Sequence, residues 1–337
     1  MNHQPVLSAE NPTIAVVIPA YKAAAHIRDV LTHIPDWVRH IVVVDDCSPD
    51  ETREIVRQWP DPRVHLVAHE ENQGVGGAVL SGYHEAVSLG ADIIVKMDSD
   101  DQMDPNYMLP LISPIVKGDA DYTKGNRFLH SRQLQTMPKI RFFGNIGLSF
   151  LTKLASGYWN IFDPTNGYTA IHASLIPLLS EGAIARRYFF ETSMLIELGF
   201  LRAVIRDVFI PARYGNETSS LSEKQVLREF PPLLLKAFLR RLWVQYFIRD
   251  FSIVSLDLVL GAAMTAFGFI WGIWHWIYYY FQEMTTPAGT VMIAVLPIIL
   301  GIQLIIQAVT LDVQNVPAYP IQSPGRILTH FSSREGQ

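Results

Sequence analysis

The stretch that decides the fold and the chemistry runs from Val95 to Pro105 and reads VKMDSDDQMDP. The apolar run Ile93–Val95 predicts the end of a buried strand. Asp98 and Asp100 follow it and, in an extended segment, point to the same side. Two such carboxylates repel each other unless a cation lies between them, and Mg²⁺ is usually held by one or two carboxylates plus substrate phosphates. The pattern therefore predicts a metal–diphosphate site at the carboxyl end of a sheet, where open α/β sheets bind ligands.

The alternative for this acidic segment is a solvated polar loop. We assign that role to Asp104, which is predicted to cap a helix that starts at Pro105. For Asp98 and Asp100 we favour the metal site.

The composition of the chain excludes several classes of protein. The chain has 337 residues, enough for two domains or for one domain with an appendage. The formal charge of −5 gives no reason to expect a nucleic-acid partner, and the single cysteine, Cys47, excludes an internal disulfide and a cysteine-rich zinc site. The first twelve residues have no basic region and no apolar core, so no signal peptide is predicted there and the catalytic part is expected in the cytosol.

Four apolar runs alternate with helical patterns in the first hundred residues, which is typical of a doubly wound, mostly parallel α/β sheet. The predicted strands are Thr13–Pro19, His40–Asp45, Val64–Ala68 and Ile93–Asp98, and Asp121–Arg127 is predicted to be an edge strand. Ser48 is predicted to cap the helix after the second strand. The glycines of NQGVGGA, residues 72–78, do not form a dinucleotide fingerprint. They indicate a tight turn with close helix packing, and direct contact with phosphate stays open.

Four motifs in this order resemble the GT-A glycosyltransferases of family 2, and among them the polyprenyl-phosphate glycosyltransferases, which include dolichol-phosphate mannosyltransferases. The motifs are VVIPAYKAAAHI, VVVDDCSPDET, NQGVGGA and KMDSDDQMDP. The resemblance covers residues 13 to about 221. It implies a Rossmann-like GT-A fold and inverting transfer of a hexose from a nucleotide-diphosphate sugar to a polyprenyl phosphate, undecaprenyl or dolichyl. It also implies Mg²⁺ or Mn²⁺ as cofactor.

The same resemblance implies roles for individual residues of the first half. The nucleotide would be bound by Pro19, Ala20, Tyr21, Val44, Asp46, Asp98 and Ser99. The metal would be bound by Asp98, Asp100 and Gln102. Mannosyltransferases of this type carry Asn-Glu after the Pro-x-Tyr motif, whereas this chain has Lys22-Ala23. The difference favours a UDP-sugar over GDP-mannose as donor.

Further residues of the reaction are implied in the second half of the chain. Arg127 matches a phosphate-binding arginine of the family. DPTNGY, with Asp163, matches a turn beside the sugar, and Glu191 matches a carboxylate that a helix brings towards the donor. Arg213 lies in RYGNETSSL, which matches a loop over the diphosphate. Whether Asp163 and Glu191 act as bases or orient other groups stays open.

Two long uncharged runs follow, Leu258–Gln282 with 25 residues and Ala288–Leu311 with 24, and each is long enough to span a bilayer. Asp257 lies at the edge of the first run, where it would stay hydrated. Basic residues precede and follow the pair but are missing from the short connection, which places both flanks in the cytosol. The apolar and basic segments around 137–159 and 232–250 are predicted to lie at the membrane surface. Their lipid-phosphate contacts would come from Lys139, Arg141, Lys236, Arg240 and Arg241.

The predicted organisation is therefore a cytosolic catalytic domain, 1–221, followed by interfacial amphipathic helices, 222–253, a transmembrane hairpin, 254–312, and a cytosolic tail, 313–337. The hairpin helices are placed at about 256–282 and 288–311. The predicted partners are the sugar donor, the lipid acceptor and membrane lipids, and a homo-oligomer stays open. Two alternatives remain: a processive polysaccharide synthase, whose Gln-x-x-Arg-Trp motif this chain lacks, and a non-catalytic membrane scaffold on the same fold.

Overall fold

The chain folds into two compact units, seen in a computed structural model that describes residues 12–127, 139–164, 166–211 and 223–322. The first, here called the sheet unit, comprises Met1–Leu235 and Pro317–Gln337. The second, here called the helical unit, comprises Lys236–Val316. The chain therefore leaves the sheet unit once and returns to it after the helical unit.

Within the described residues, one mixed sheet of seven strands forms the centre of the sheet unit, in the order β3-β2-β1-β4-β6-β5-β7. The strands are β1 (Ile14–Ala20), β2 (His40–Asp45), β3 (Val64–Ala68), β4 (Ile93–Lys96), β5 (Tyr122–Asn126), β6 (Thr169–His172) and β7 (Ile205–Phe209). Strand β6 runs antiparallel to its neighbours β4 and β5, and the other pairs are parallel. The mostly parallel α/β sheet predicted from the sequence is confirmed.

The helices of the sheet unit follow the strands and cover the sheet. They are α1 (Ile27–His33), α2 (Thr52–Arg57), α3 (Gly74–Ser88), α4 (Met108–Val116), α5 (Lys139–Ser156) and α6 (Phe190–Leu201), while α7 (Glu223–Trp243) continues into the helical unit. Residues of β1, β2 and β4 such as Val17, Val42 and Val95 are fully buried, as expected for strands covered on both faces. A Cβ on Gly82 would lie 2.3 Å from Val17 Cγ1, so the glycine lets α3 approach the sheet closely.

The direction of β6 determines which loops meet at the carboxyl edge of the sheet. Since β1, β2 and β4 are parallel, the residues after each of them lie at one edge. The antiparallel β6 starts at that same edge, so the DPTNGY turn before it lies beside the end of β4. Strand β5 ends there as well and carries Arg127 to the same place. The sheet thus collects five separate segments of the sequence at one edge.

Two local predictions are wrong. Strand β5 is not an edge strand, because it pairs with both β6 and β7. Ser48 does not cap α2, which begins at Thr52 after Glu51. The Ser48 hydroxyl instead accepts a hydrogen bond from the Lys22 backbone N–H at 3.2 Å, and the Thr52 hydroxyl accepts one from Ala23 at 2.9 Å. The polar residues after β2 therefore fix the turn that follows β1.

The helical unit contains α8 (Ile253–Phe281) and α9 (Ala288–Gln314), which pack against each other along small residues. A Cβ on Gly261 would lie 2.8 Å from the Gly301 carbonyl oxygen, and one on Gly268 would lie 2.6 Å from that of Ala294. The later position on α8, Gly268, contacts the earlier position on α9, Ala294, so the two helices are antiparallel. The seven-residue spacing of these positions keeps one small-residue face of each helix on its partner, as in membrane helix pairs.

Two charged residues of the helical unit do not behave as the sequence indicates. Arg241, predicted to contact lipid phosphate, is only 3% exposed and donates to both carboxylate oxygens of Asp312, at 2.7 and 3.0 Å. Asp312 also accepts from the Tyr246 hydroxyl. Asp257, expected to be hydrated, is 4% exposed, and its Oδ2 makes no hydrogen bond within the described residues. The helical unit therefore contains buried ionisable side chains.

The chain beyond α9 is attached to the sheet unit. Asp121, at the start of β5, is fully buried, and its carboxylate accepts hydrogen bonds from the backbone N–H groups of Ile321 and Gln322 at 3.0 and 2.9 Å. The same carboxylate accepts from Val204 at 2.7 Å. One buried acid thus holds the returning segment at the amino ends of β5 and β7.

The glycine contacts between α8 and α9 predict that Gly301→Ala lowers the thermal unfolding midpoint of the detergent-solubilised protein. The added Cβ would lie 2.3 Å from Thr265 Oγ1 and 2.7 Å from the Gly261 carbonyl oxygen, so the helices must separate. Gly289→Ala is the matched control, since its Cβ meets nothing within 4 Å and alanine favours the helix by about 1 kcal/mol. Equal midpoints for the two variants would contradict the packing described for this pair of helices.

Candidate active site

A cleft of about 490 Å³ lies at the carboxyl edge of the sheet, within the usual volume range of small-molecule sites. It is lined by Pro19, Ala20, Tyr21, Asp46, Asn72, Gly74, Val75, Ala78, Asp98, Ser99, Asp100, Arg187 and Tyr188. A depression of similar size lies at the opposite edge, lined by residues such as Trp37 and Arg39, and it contains no carboxylate. The chemistry that the sequence indicates is therefore concentrated in the first cleft.

The acidic loop after β4 is tightly folded at the floor of this cleft. Asp98, Ser99 and Asp100 are all partly exposed, and Asp100 accepts a hydrogen bond from the Gln102 backbone N–H at 3.1 Å. Asp104 caps the short helical turn Pro105–Tyr107 by accepting from the Asn106 N–H at 3.0 Å, which confirms its predicted role. The loop therefore directs Asp98 and Asp100 to the cleft and uses Asp104 for its own structure.

Lys96, the last residue of β4, lies beneath this loop and is 1% exposed. Its ammonium lies 2.5 Å from Asp98 Oδ1 and 3.5 Å from Glu191 Oε1. Burial alone would lower the pKa of Lys96, but the carboxylates of Asp98 and Glu191 raise it above its ordinary value. The Lys96 ammonium thus pairs with carboxylates from the loop after β4 and from the first turn of α6.

Asp46 lines the cleft, but its carboxylate also organises the wall of the cleft. It accepts hydrogen bonds from the backbone N–H groups of Gln73 and Gly74, both at 2.8 Å, and is 2.8 Å from His69 Nδ1. Gly74 has a φ of +82°, which glycine adopts without strain. A Cβ on Gly76 would lie 2.2 Å from the Ala185 carbonyl oxygen, so the glycine motif serves a tight turn and close packing, as the sequence indicates.

Arg127 and Asp163, predicted separately, form an ion pair at the same edge of the sheet. The Arg127 Nε and Nη2 donate to the two carboxylate oxygens of Asp163 at 2.8 and 3.1 Å. Asp163 is fully buried, while the Arg127 side chain is 37% exposed. The pair leaves part of the guanidinium accessible and gives the Asp163 carboxylate a cationic partner.

Lys124 on β5 is a second fully buried lysine near the site. Its ammonium donates to the backbone carbonyl of Asn166, in the DPTNGY turn. Burial lowers the pKa of Lys124 to about 8, although Asp163 and Glu191 act in the opposite direction. On neighbouring β7, burial raises the pKa of Asp207 to about 6. The sheet beneath the site therefore contains polar groups whose ionisation depends strongly on burial.

Not every predicted site residue lies where the sequence places it. Val44, predicted to contact the nucleotide, is fully buried, packs towards Gly82 of α3 and does not line the cleft; its contact with the nucleotide stays a prediction. Lys236 and Arg240 are exposed on α7. Arg213 and the side chains of Lys139 and Arg141 lie outside the described residues. The other predicted nucleotide residues line the cleft.

The sequence reasoning missed three groups of residues in or near the cleft. Lys96 could have been noticed, because a lysine that ends the apolar strand IIVK needs a buried partner, whereas nothing in the polar strand YTKGN indicates that Lys124 is buried. Gly167 could not: a Cβ there would lie 2.5 Å from Lys96 Nζ and 2.8 Å from Asp98 Oδ2, a contact that only the fold creates. Arg187 and Tyr188 also reach the cleft from a segment far along the chain.

The lowered pKa of Lys124 predicts a pH-dependent stability difference between the wild type and Lys124→Met. Between pH 8 and the ordinary value of 10.5 the folded chain binds fewer protons at this site than the unfolded chain, so folding becomes more favourable as the pH rises. The wild-type unfolding midpoint should therefore rise relative to that of Lys124→Met from pH 8 to pH 10. Thermal unfolding at each pH tests this, with the exposed Lys236→Met as control. A difference that stays constant across this range would contradict the burial effect.

Comparison with known proteins places this arrangement in a family. The profile described as Glycosyl transferase family 2 matches residues 15–177, from β1 through β6. A UDP-N-acetylglucosamine–dolichyl-phosphate N-acetylglucosaminyltransferase of Methanococcus voltae is 34% identical over 190 residues, which cover 52% of this chain and 75% of that protein. An undecaprenyl-phosphate mannosyltransferase of Micrococcus luteus is 29% identical over 53% of this chain and 75% of that protein.

The fold has a solved counterpart in the glucosyl-3-phosphoglycerate synthase of Mycobacterium tuberculosis, crystallised with Mn²⁺, UDP and glucosyl-3-phosphoglycerate. The superposition covers 72% of this chain and 86% of that chain with a TM-score of 0.51 and 21% identity, which supports the GT-A-like fold alone. The profile match and the relative that is 34% identical over three quarters of its length carry the assignment further. The chain belongs to glycosyltransferase family 2 and is a glycosyltransferase.

Proposed function

We propose that this protein transfers a hexose, with inversion, from a nucleotide-diphosphate sugar to a polyprenyl phosphate at a membrane surface. The observation that carries the proposal is the cleft that Asp98 and Asp100 line together with Tyr21 and Asp46. Relatives named as dolichyl-phosphate and undecaprenyl-phosphate glycosyltransferases supply the acceptor class. The resulting division is a catalytic domain, 1–221, interfacial helices, 222–253, a hairpin, 254–312, and a tail, 313–337.

Asp98 and Asp100, which line the cleft, and the nearby Gln102 have side chains that fit a divalent cation. Asp98, Asp100 and the amide oxygen of Gln102 are hard oxygen ligands, which Mg²⁺ and Mn²⁺ prefer. The described residues contain no group of three or more His, Cys, Asp or Glu side chains arranged to hold a metal. Two carboxylates without such a cage match a metal that is shared with substrate phosphates. The solved counterpart was crystallised with Mn²⁺ and UDP, which supports Mn²⁺ or Mg²⁺ here.

A UDP-sugar is the donor we favour. The Methanococcus relative is named for UDP-N-acetylglucosamine, and the solved counterpart was crystallised with UDP. In this chain the base would lie against Pro19, Ala20 and Tyr21, with Asp46 and Asn72 beside them. The Asp46 carboxylate already has three donors, so a fourth from the base would use its remaining acceptor site.

The charges around the cleft suit the departure of a nucleoside diphosphate. A bound divalent cation would supply Lewis-acid stabilisation of the developing negative charge. Arg187 lines the cleft, and the exposed part of Arg127 lies at the same edge of the sheet. The acceptor phosphate is already an anion near neutral pH, so a strong base is not required. Asp163 pairs with Arg127, and Glu191 lies by Lys96. We infer that these two carboxylates orient cations.

A membrane location follows from the composition of the helical unit. Helices α8 and α9 have 29 and 27 residues and are long and apolar enough to cross a bilayer. Their surfaces carry large exposed apolar side chains, for example Trp274 at 71% and Phe281 at 79%. The exposed cations Lys236 and Arg240 precede them. Basic residues flank the pair of helices and are missing from the connection between them, so we place both flanks of the hairpin in the cytosol.

The metal site predicts that Asp98→Asn and Asp100→Asn each lower the rate of sugar transfer at least about a hundredfold. Each substitution removes one negatively charged ligand of the cation that stabilises the leaving diphosphate. Asp104→Asn is the matched control: it makes the same chemical change in the same loop, and asparagine caps as well as aspartate. The assay offers UDP-N-acetylglucosamine, UDP-glucose and GDP-mannose with undecaprenyl or dolichyl phosphate, in Mn²⁺ or Mg²⁺. Near-normal turnover of Asp98→Asn or Asp100→Asn would contradict the proposed metal site. Absence of any donor turnover by the wild type would favour a scaffold, and products with more than one sugar would favour a processive synthase.

The proposed topology predicts different labelling of two single cysteines in a Cys47→Ser background. Thr285→Cys, in the connection between α8 and α9, should react with an impermeant thiol reagent from outside intact cells. Tyr319→Cys is 80% exposed at the wild-type side chain and follows the hairpin, so it should react only after permeabilisation. The reverse pattern would put the active site on the other side of the membrane.

A further inference from the structure

The buried lysines beneath the site belong to one row across the sheet. Lys96 on β4 is opposite Thr169 on β6, and Thr169 is opposite Lys124 on β5. Residues opposite each other on paired strands project to the same face. A lysine that is fully buried in such a row is costly unless its charge is paired. The burial of two lysines in this row therefore has to be offset by their contacts. The two lysines differ in the groups that they contact.

Lys96 contacts carboxylates of the reaction cleft, whereas Lys124 contacts the backbone of the turn. The Lys96 ammonium lies between Asp98, which lines the cleft, and Glu191 in the first turn of α6. The Asp98 side chain is 35% exposed, so it is held from below and accessible from the cleft. The Lys124 ammonium donates to the Asn166 carbonyl. Only the first of these contacts controls the direction of a carboxylate that the proposed metal needs.

Gly167 is a second, independent observation at the same place. Its missing side chain leaves room for the ion pair, since a Cβ would lie 2.5 Å from Lys96 Nζ and 2.8 Å from Asp98 Oδ2. Its φ lies outside the left-handed region that alanine avoids, so the obstacle to alanine is this contact. The turn before β6 is therefore shaped around the Lys96–Asp98 pair.

We propose that Lys96 is a positioning residue for sugar transfer: its ammonium holds the Asp98 carboxylate in the orientation that the divalent cation and the donor diphosphate require, within a space that Gly167 provides. The inference rests on the proposed function, and it adds two residues outside the predicted metal and nucleotide sets. Groups that orient a ligand from behind typically contribute a factor of about 10 to 100 in metal affinity.

The direction of the effect separates positioning from simple charge balance. Removing a positive charge next to a metal ligand would, by Coulomb's law alone, tighten the binding of a cation. Losing the orientation of Asp98 would weaken it. Lys96 and Lys124 are equally buried and carry the same group, so Lys124→Met is a matched control for the loss of a buried lysine.

The experiment measures Mn²⁺ binding to the full-length protein in detergent with UDP present, from the electron paramagnetic resonance signal of free Mn²⁺, together with thermal unfolding of each variant. We expect Lys96→Met to weaken Mn²⁺ binding about tenfold or more, and Lys124→Met to change it less than about threefold. Gly167→Ala keeps both charges and should also weaken binding.

Several outcomes would overturn the inference. Unchanged or tighter Mn²⁺ binding by Lys96→Met would show that Lys96 only neutralises nearby carboxylates and does not position Asp98. Equal weakening by Lys124→Met would show a general effect of losing a buried lysine. If Lys96→Met does not fold, Gly167→Ala decides, and wild-type binding by that variant would refute the positioning role. Absence of Mn²⁺ binding by the wild type with UDP is a different result, since it would overturn the proposed function itself.

Discussion

The buried charge of Lys96 is the constraint on which the arrangement of the site depends. Lys96 is 1% exposed, and its ammonium is paired with carboxylates from the loop after β4 and from α6. This pairing joins residues that are 95 positions apart in sequence, Lys96 and Glu191. It also involves Gly167, because a Cβ there would lie 2.5 Å from Lys96 Nζ and 2.8 Å from Asp98 Oδ2, so the pair would have to shift. The acidic motif, the second half of the sheet and α6 are therefore one electrostatic unit.

The antiparallel strand β6 has a comparable effect on the topology. A wholly parallel sheet would place the beginning of each strand at the edge opposite the cleft. Because β6 is reversed, the turn before it, with Asp163 and Gly167, lies at the carboxyl edge of β4 and β5. The Arg127–Asp163 pair and the Lys124–Asn166 contact follow from this reversal. One strand direction thus brings the ends of β4 and β5 and the turn before β6 to the same edge of the sheet.

In the helical unit, composition determines the apolar surfaces of the helices, and packing determines the contact between them. The apolar surfaces of α8 and α9 are a property of the sequence, and they make a membrane location the natural proposal. The contact between the helices depends on the glycines at 261, 268 and 301. These glycines lie against the other helix in the antiparallel arrangement, in which Gly261 faces Gly301 and Gly268 faces Ala294. Arg241 was counted among the surface cations, yet it pairs with Asp312, 71 residues away. Periodicity along one helix cannot reveal a partner on another.

The sequence by itself determined the strand runs, the acidic strand end, the cap at Asp104 and the two long apolar helices, because these depend on neighbours within a few residues. It also carried the family resemblance that the comparisons confirm. Only the tertiary structure decided that β5 is an interior strand, that Val44 faces the core, that Arg241 is buried and that Lys96 and Gly167 lie beneath Asp98. Each of these depends on contacts between distant segments, since burial and ion pairing are properties of the folded surroundings and not of the local chain.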